Sequence, residues 1–179
     1  MTITPMTATL SRAQGQNPSA VACEIVADAT FSSCRYYRYV LERRWDNGLP
    51  QVMFIGLNPS TADERMDDPT VRRCVRFAKD WGFGSLILAN LFALRSTDPR
   101  GLFDADDPIG RWNDRWLNRL SDRASLLVAA WGVRGGFRGR DKVVADRLPE
   151  MHCLGTTKDG YPRHPLYLRA DARPVPFRI

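Results

Sequence analysis

QVMFIGLNPSTADERMDDPTVRRC, residues 51–74, changes character twice, and those changes decide the fold class. Gln51 to Leu57 is a short apolar run, the pattern of a strand buried on both faces. Asn58-Pro59 ends it, because proline fixes its own φ and restricts the residue before it. Asp68-Pro69 then starts a helix. The aspartate can accept from free N–H groups of the first turn, and proline fits the first helical position. Val71, Cys74, Val75 and Ala78 follow at helical spacing, with Arg72, Arg73, Arg76 and Lys79 looking outward.

The alternation continues on both sides of this stretch. WGFG closes the helix, and SLILANLFAL (85–94) is a continuous apolar run suited to burial between helices. Trp112, Trp116, Leu117 and Leu120 mark a second amphipathic helix, and SLLVAAWG (125–132) another buried strand. Lys142 to Leu148 reads as a third helix and MHCLG (151–155) as a final short strand. Upstream, Glu24 to Ser33 has mixed β character. CRYYRYVLERRW (34–45) alternates Tyr37, Tyr39, Leu41 and Trp45 against Tyr36, Val40 and two arginines. Asp46-Asn47-Gly48 is a tight-turn signal, so Gln51 to Leu57 reads as the returning strand of an N-terminal antiparallel hairpin. The expected architecture is a three-layer α/β/α domain with a mostly parallel central sheet. Residues 1–22, rich in Thr, Ser, Gln and Ala, read as a flexible tail, and 23–179 as a single α/β domain without internal repeats.

The totals fit that reading. A chain of 179 residues is long enough to bury a real core, and 44% hydrophobic with 26% charged content belongs to a soluble globule. No stretch approaches the roughly 18 apolar residues a membrane span needs. The N-terminus lacks the apolar core of a secretory signal, so a cytoplasmic protein with reduced thiols is expected. Cys23, Cys34, Cys74 and Cys153 form no C-x-x-C pair, which argues against a zinc or iron–sulfur site. The net charge of +6 suits either an anionic partner, nucleic acid or nucleotide, or simple solubility. Oligomeric state is not written in the sequence.

In parallel sheets ligands bind beyond the carboxyl ends of the strands. Polar segments gather there: NPSTAD, Asn90 with RSTDP, GVRGG, and TTKDGYPRHP. Asn58 could position a water or hydrogen-bond a base edge, or close a turn on its own backbone. Ser60 and Thr61 could present hydroxyls to a phosphate. Of the acids Asp63, Glu64, Asp67 and Asp68, Asp63 is the candidate for activating water, and Asp68 is more simply a helix cap. Asn90 sits within an apolar run, so its amide needs partners, whether a base edge or neighbouring backbone. His164, between prolines, could stabilise a developing anion. Phe92, Tyr161 and Tyr167 could stack on a base or belong to the core. GVRGGFRGR lacks phosphate-loop spacing and reads as a flexible loop.

Two resemblances follow from these motifs. LNPSTAD, DDPTVRRC, WGFG, NLFALRSTDP, AAWG, TKDG and HPLYL, spread from about Tyr36 to Phe177, closely resemble a bacterial and phage family known as domain of unknown function 1643. More distantly, the motif order is similar to the uracil-DNA glycosylase superfamily: Gly56-Leu57-Asn58-Pro59 after the first core strand, Leu88-Ala89-Asn90, and His164-Pro165 near the C-terminus. Leu166 stands where that superfamily's last motif carries serine. This resemblance implies hydrolysis of an N-glycosidic bond of a modified or damaged base, with no metal or organic cofactor. Asn58 would position or activate water, Asn90 would read the base and His164 would stabilise the departing base anion. Gly56, Leu57, Pro59, Ser60, Thr61, Phe92, Arg95, Lys158 and Tyr167 complete the expected substrate-binding set. A non-catalytic module on the same fold that binds a nucleotide or modified base, and a hydrolase of small phosphorylated metabolites, are the alternatives.

Overall fold

The computed structural model describes residues 25–179; the expected tail over 1–22 and Cys23 lie outside the described residues. Seven strands form one sheet: β1 (Val26–Phe31), β2 (Arg38–Arg44), β3 (Gln51–Gly56), β4 (Ser85–Asn90), β5 (Leu126–Ala129), β6 (Met151–Cys153) and β7 (Val175–Phe177). Their spatial order is β1-β2-β4-β3-β5-β6-β7. Helices α1 (Pro69–Asp80), α2 (Pro99–Phe103), α3 (Asn113–Ser121) and α4 (Arg140–Arg147) connect them. The chain is thus mixed α/β, and among the described residues no helix is long and apolar enough to cross a membrane.

Strand β3 shows why the centre is apolar on both faces. Met53 and Ile55 join one core cluster with Leu117 and Leu120 of α3 and Val144 of α4. Val52 and Phe54 join the other, with Val71, Cys74, Phe77 and Ala78 of α1. Period-two alternation therefore feeds two cores, and each helix supplies its apolar stripe to one of them. Helix α1 starts as its sequence predicts: Asp68 accepts from the Val71 N–H at 2.8 Å, and Pro69 takes the first position.

The sheet is mixed rather than mostly parallel. Strands β3–β4, β3–β5 and β5–β6 pair in parallel, whereas β1–β2, β2–β4 and β6–β7 pair antiparallel. The expected hairpin between residues 34–45 and 51–57 does not form. Strand β2 pairs with β4, with Leu41 opposite Leu88, and β3 lies beyond β4. The antiparallel N-terminal pair is β1–β2 instead. Asp46-Asn47-Gly48 does turn, with the Gly48 N–H donating to Asp46 Oδ1 at 2.8 Å. A local turn cannot say which strand fills the space it spans. Here the Trp45 and Asp46 N–H groups both donate to the Gly84 carbonyl at 3.0 Å, so the connection crosses the start of β4. A Cβ at Gly84 would lie 2.1 Å from the Asp46 carbonyl oxygen, and only glycine allows that crossing.

The expected single face for Tyr39 and Leu41 also fails. Thr30 pairs with Val40 but Phe31 pairs with Arg38, so Tyr39 is an extra residue in β2. Such a bulge exchanges faces for everything before it. Tyr39 and Val40 enter one cluster while Leu41 enters the other. The GVRGGFRGR segment is not the expected flexible loop. Val133–Gly139 holds 3-10 turns, broken by a kink at Phe137 and Arg138, that lead into α4, whose Arg140 is buried and donates to the Leu91 carbonyl at 2.9 Å.

Candidate functional site

The site begins where β3 and β4 end side by side. Beyond the paired strands, the Leu91, Phe92 and Ser96 N–H groups donate to the carbonyls of Gly56, Leu57 and Pro59 at 2.9, 3.0 and 3.0 Å. These bonds carry the two exits along each other. A Cβ at Gly56 would come within 2.8 Å of Asn90 Oδ1, so glycine is what lets that amide lie against the β3 exit. Asn113, buried on α3, donates from Nδ2 to the Asn90 and Leu91 carbonyls at 3.0 and 2.9 Å and fixes the end of β4.

Asn58 uses both amide protons on backbone, to the Ser96 carbonyl at 2.8 Å and the Pro59 carbonyl at 3.1 Å. This fixes the amide orientation and leaves Oδ1 as its open acceptor. His164 arrives from the C-terminal segment. There the Thr157 N–H donates to Tyr161 at 2.8 Å and the Arg163 N–H to Gly155 at 2.9 Å, folding the loop back after β6. The following residues are held on α1 by Arg73, which donates to the Leu168 carbonyl, and by Trp81 Nε1, which donates to Ala172 at 3.1 Å. His164 Nδ1 accepts from the Leu166 N–H at 3.3 Å, so the neutral ring carries its proton on Nε2. Burial lowers the imidazole pKa, with Asp68 opposing, and favours that neutral form.

Asn58, Asn90 and His164 line one cavity of about 200 Å³, together with Gly56, Leu57 and Ser60. Other expected residues are not on its wall. Asp63 is spent on its own loop: Oδ1 accepts from the Arg65 and Met66 N–H groups at 2.8 and 2.9 Å, which hold its carboxyl below the usual range. Thr61 and Lys158 are exposed, and Pro59 is buried off the wall. Phe92 is buried in the core against Phe137, ring centroids 5.7 Å apart. Arg95 lies over the Phe31 ring at 5.0 Å. Tyr167 is exposed, its ring 5.7 Å from that of His164.

The wall also holds residues that the sequence did not point to as site residues: Arg38, Asp68, Cys74 and Trp131. Asp68 serves twice, capping α1 and facing the cavity. Burial pushes the Cys74 thiol pKa up, which keeps it protonated and unsuited to nucleophilic attack. Trp131 lies two residues beyond the carboxyl end of β5, within AAWG, where the same strand-end rule could have found it. Arg38 had no such signal, because the bulge at Tyr39 turns it toward this side.

Three wall residues each hold a buried donor without a partner: Asn90 Nδ2, Trp131 Nε1 and Arg38 Nε. Leaving such a group unpaired costs on the order of 1–3 kcal/mol. The Trp131 indole edge packs against Gly135 and its ring against Phe177, so the donors the wall can offer are Asn90 Nδ2, Arg38 Nε and the Nε2 proton of His164, which suit a ligand rich in acceptors. Among the described residues no cluster of His, Cys, Asp or Glu could hold a metal ion.

The model of a family described as "Protein of unknown function (DUF1643)" matches residues 38–166. No curated protein and no solved structure matches the chain significantly.

Proposed function

The chain belongs to the DUF1643 family, and we propose that it acts on a nucleobase in nucleic acid or a nucleotide, in the manner of a uracil-DNA glycosylase. One observation carries this reading: Asn58, Asn90 and His164, from three distant segments, line one cavity. Asn90 offers its amide N–H to a carbonyl oxygen on the edge of an extruded base. Asn58 Oδ1 accepts a hydrogen bond from a water and orients it toward the sugar carbon. As the water oxygen bonds that carbon, the N-glycosidic electron pair leaves with the base. His164 Nε2–H stabilises the resulting anion, and the water's proton passes to solvent. An amide orients water but takes no proton, so positioning and leaving-group stabilisation carry the rate.

A binding module without turnover is the second reading. It is supported by the carboxylates: Asp63 is away from the cavity, and one oxygen of Asp68 is committed to the helix cap. The same placement of Asp63 removes support from a phosphorylated-metabolite hydrolase. Oligonucleotides carrying a panel of damaged and modified bases separate the readings. A glycosylase leaves abasic sites on at least one substrate, and Asn58→Ala abolishes them. Binding without abasic sites establishes the module, and neither binding nor release sinks the base reading.

A further inference from the structure

A guanidinium enclosed by protein loses its hydration, and acceptors or an anion must replace the water. Arg38 is 1% exposed. Its Nη1 donates to the Ala62 carbonyl at 2.5 Å, and its Nε has no partner. Among the described residues no carboxylate stands within ion-pair distance of it. The acids that act on it, Asp68 and Asp63, do so from farther away, and Arg43 and Arg95 oppose them. Burial lowers its pKa to about 10, which still leaves it charged at neutral pH.

The backbone spends a bulge to put it there. Without the extra Tyr39, period-two alternation would turn Arg38 to the other side of the sheet. With it, Arg38 shares a cavity wall with Asn90 and Ser60. Bulges that re-aim a side chain occur beside active sites. A planar guanidinium suits the several oxygens of a phosphate.

We propose that Arg38 forms an anion subsite inside the base pocket, taking a phosphate oxygen of the same ligand whose base lies against Asn90. This rests on the base-binding reading above. The phosphate belongs either to a free nucleotide or to a nucleic-acid strand, and the chemistry at Arg38 is the same for both.

Calorimetric titration of the full chain tests the subsite with the common nucleosides, their 5′-monophosphates, inorganic phosphate and short single strands. Monophosphates or strands should bind about tenfold or more tightly than the matching nucleosides, the scale of one charge-assisted contact. Arg38→Met should erase that advantage and leave nucleoside affinity in place. Strand binding that depends on Arg38, without mononucleotide binding, assigns the phosphate to a polymer. Equal affinity for nucleosides and monophosphates, with no Arg38-dependent strand binding, overturns the subsite and leaves the base reading standing. Inorganic phosphate bound through Arg38 while no base is recognised does the reverse. Silence in every arm overturns both. If Arg38→Met does not fold, Arg38→Lys replaces it, keeping the charge without Nε, and the wild-type ratio of nucleotide to nucleoside affinity decides.

Discussion

Arg140 and Arg38 are buried almost equally, at 3% and 1% exposure, yet their surroundings differ. Arg140 is paired with Asp114 and donates to the Leu91 carbonyl. Arg43, also 3% exposed, pairs with Asp67 at 2.6 Å and donates to the Asp63 carbonyl at 2.6 Å. Arg38 has one carbonyl, an idle Nε and a cavity. Among the described residues two of the three buried guanidiniums are therefore structural ties, and the third lacks a carboxylate partner. The difference separates charge used to hold a fold from charge held for a ligand.

Removing Arg140 should have the largest effect. Arg140→Ala breaks a buried pair and strips a partner from the end of β4, at a cost of about 3 kcal/mol in chemical denaturation. A loss near zero would break the comparison. Asn113→Ala comes next, costing about 2 kcal/mol as two backbone carbonyls lose their donor. Because one of those carbonyls belongs to Asn90, base binding should weaken with it. Unchanged affinity in a destabilised Asn113→Ala would show that the β4 terminus does not position the pocket.

A smaller effect concerns pH. Burial depresses the folded pKa of His164 below its unfolded value near 6.5, so the unfolded chain binds the proton more readily. The contribution is fully present above about pH 6.5 and is lost as pH falls from there through the folded pKa. His164→Gln should flatten that part of the stability profile, and a profile unchanged by the substitution would rule out a buried neutral imidazole. The smallest effect is expected at Arg38. Replacing an unpaired buried charge by an apolar chain is about neutral or stabilising, so Arg38→Met should leave the denaturation midpoint unchanged or raise it. A loss as large as that of Arg140→Ala would make Arg38 another structural tie.

What could be read from the sequence follows from how local each feature is. The convergence of Asn58 and Asn90 was legible because apolar runs ending in polar residues mark strand ends, where ligands bind in such sheets, whereas His164 stood out only by its proline neighbours and the His164-Pro165 motif. The cap at Asp68 was legible because capping involves only the next few residues. The strand order was not, since Asp46-Asn47-Gly48 specifies a turn and not the strand that comes to lie inside it. The choice between Asp63 and Asp68 was also hidden. Both acids sit on one loop, and only the folded backbone shows that Asp63 is consumed by the Arg65 and Met66 N–H groups while Asp68 lines the cavity. Arg38 was the least visible of all, because a single unpaired residue, Tyr39, inverts the alternation from which its facing would be read.

The central claim is that the cavity between Asn58, Asn90 and His164 holds a base. A crystal structure of the full chain soaked with free nucleobases tests it most directly. Planar density is expected in that cavity, with a base carbonyl in hydrogen-bonding reach of Asn90 Nδ2. Density elsewhere, or an empty cavity at saturating base, would contradict it.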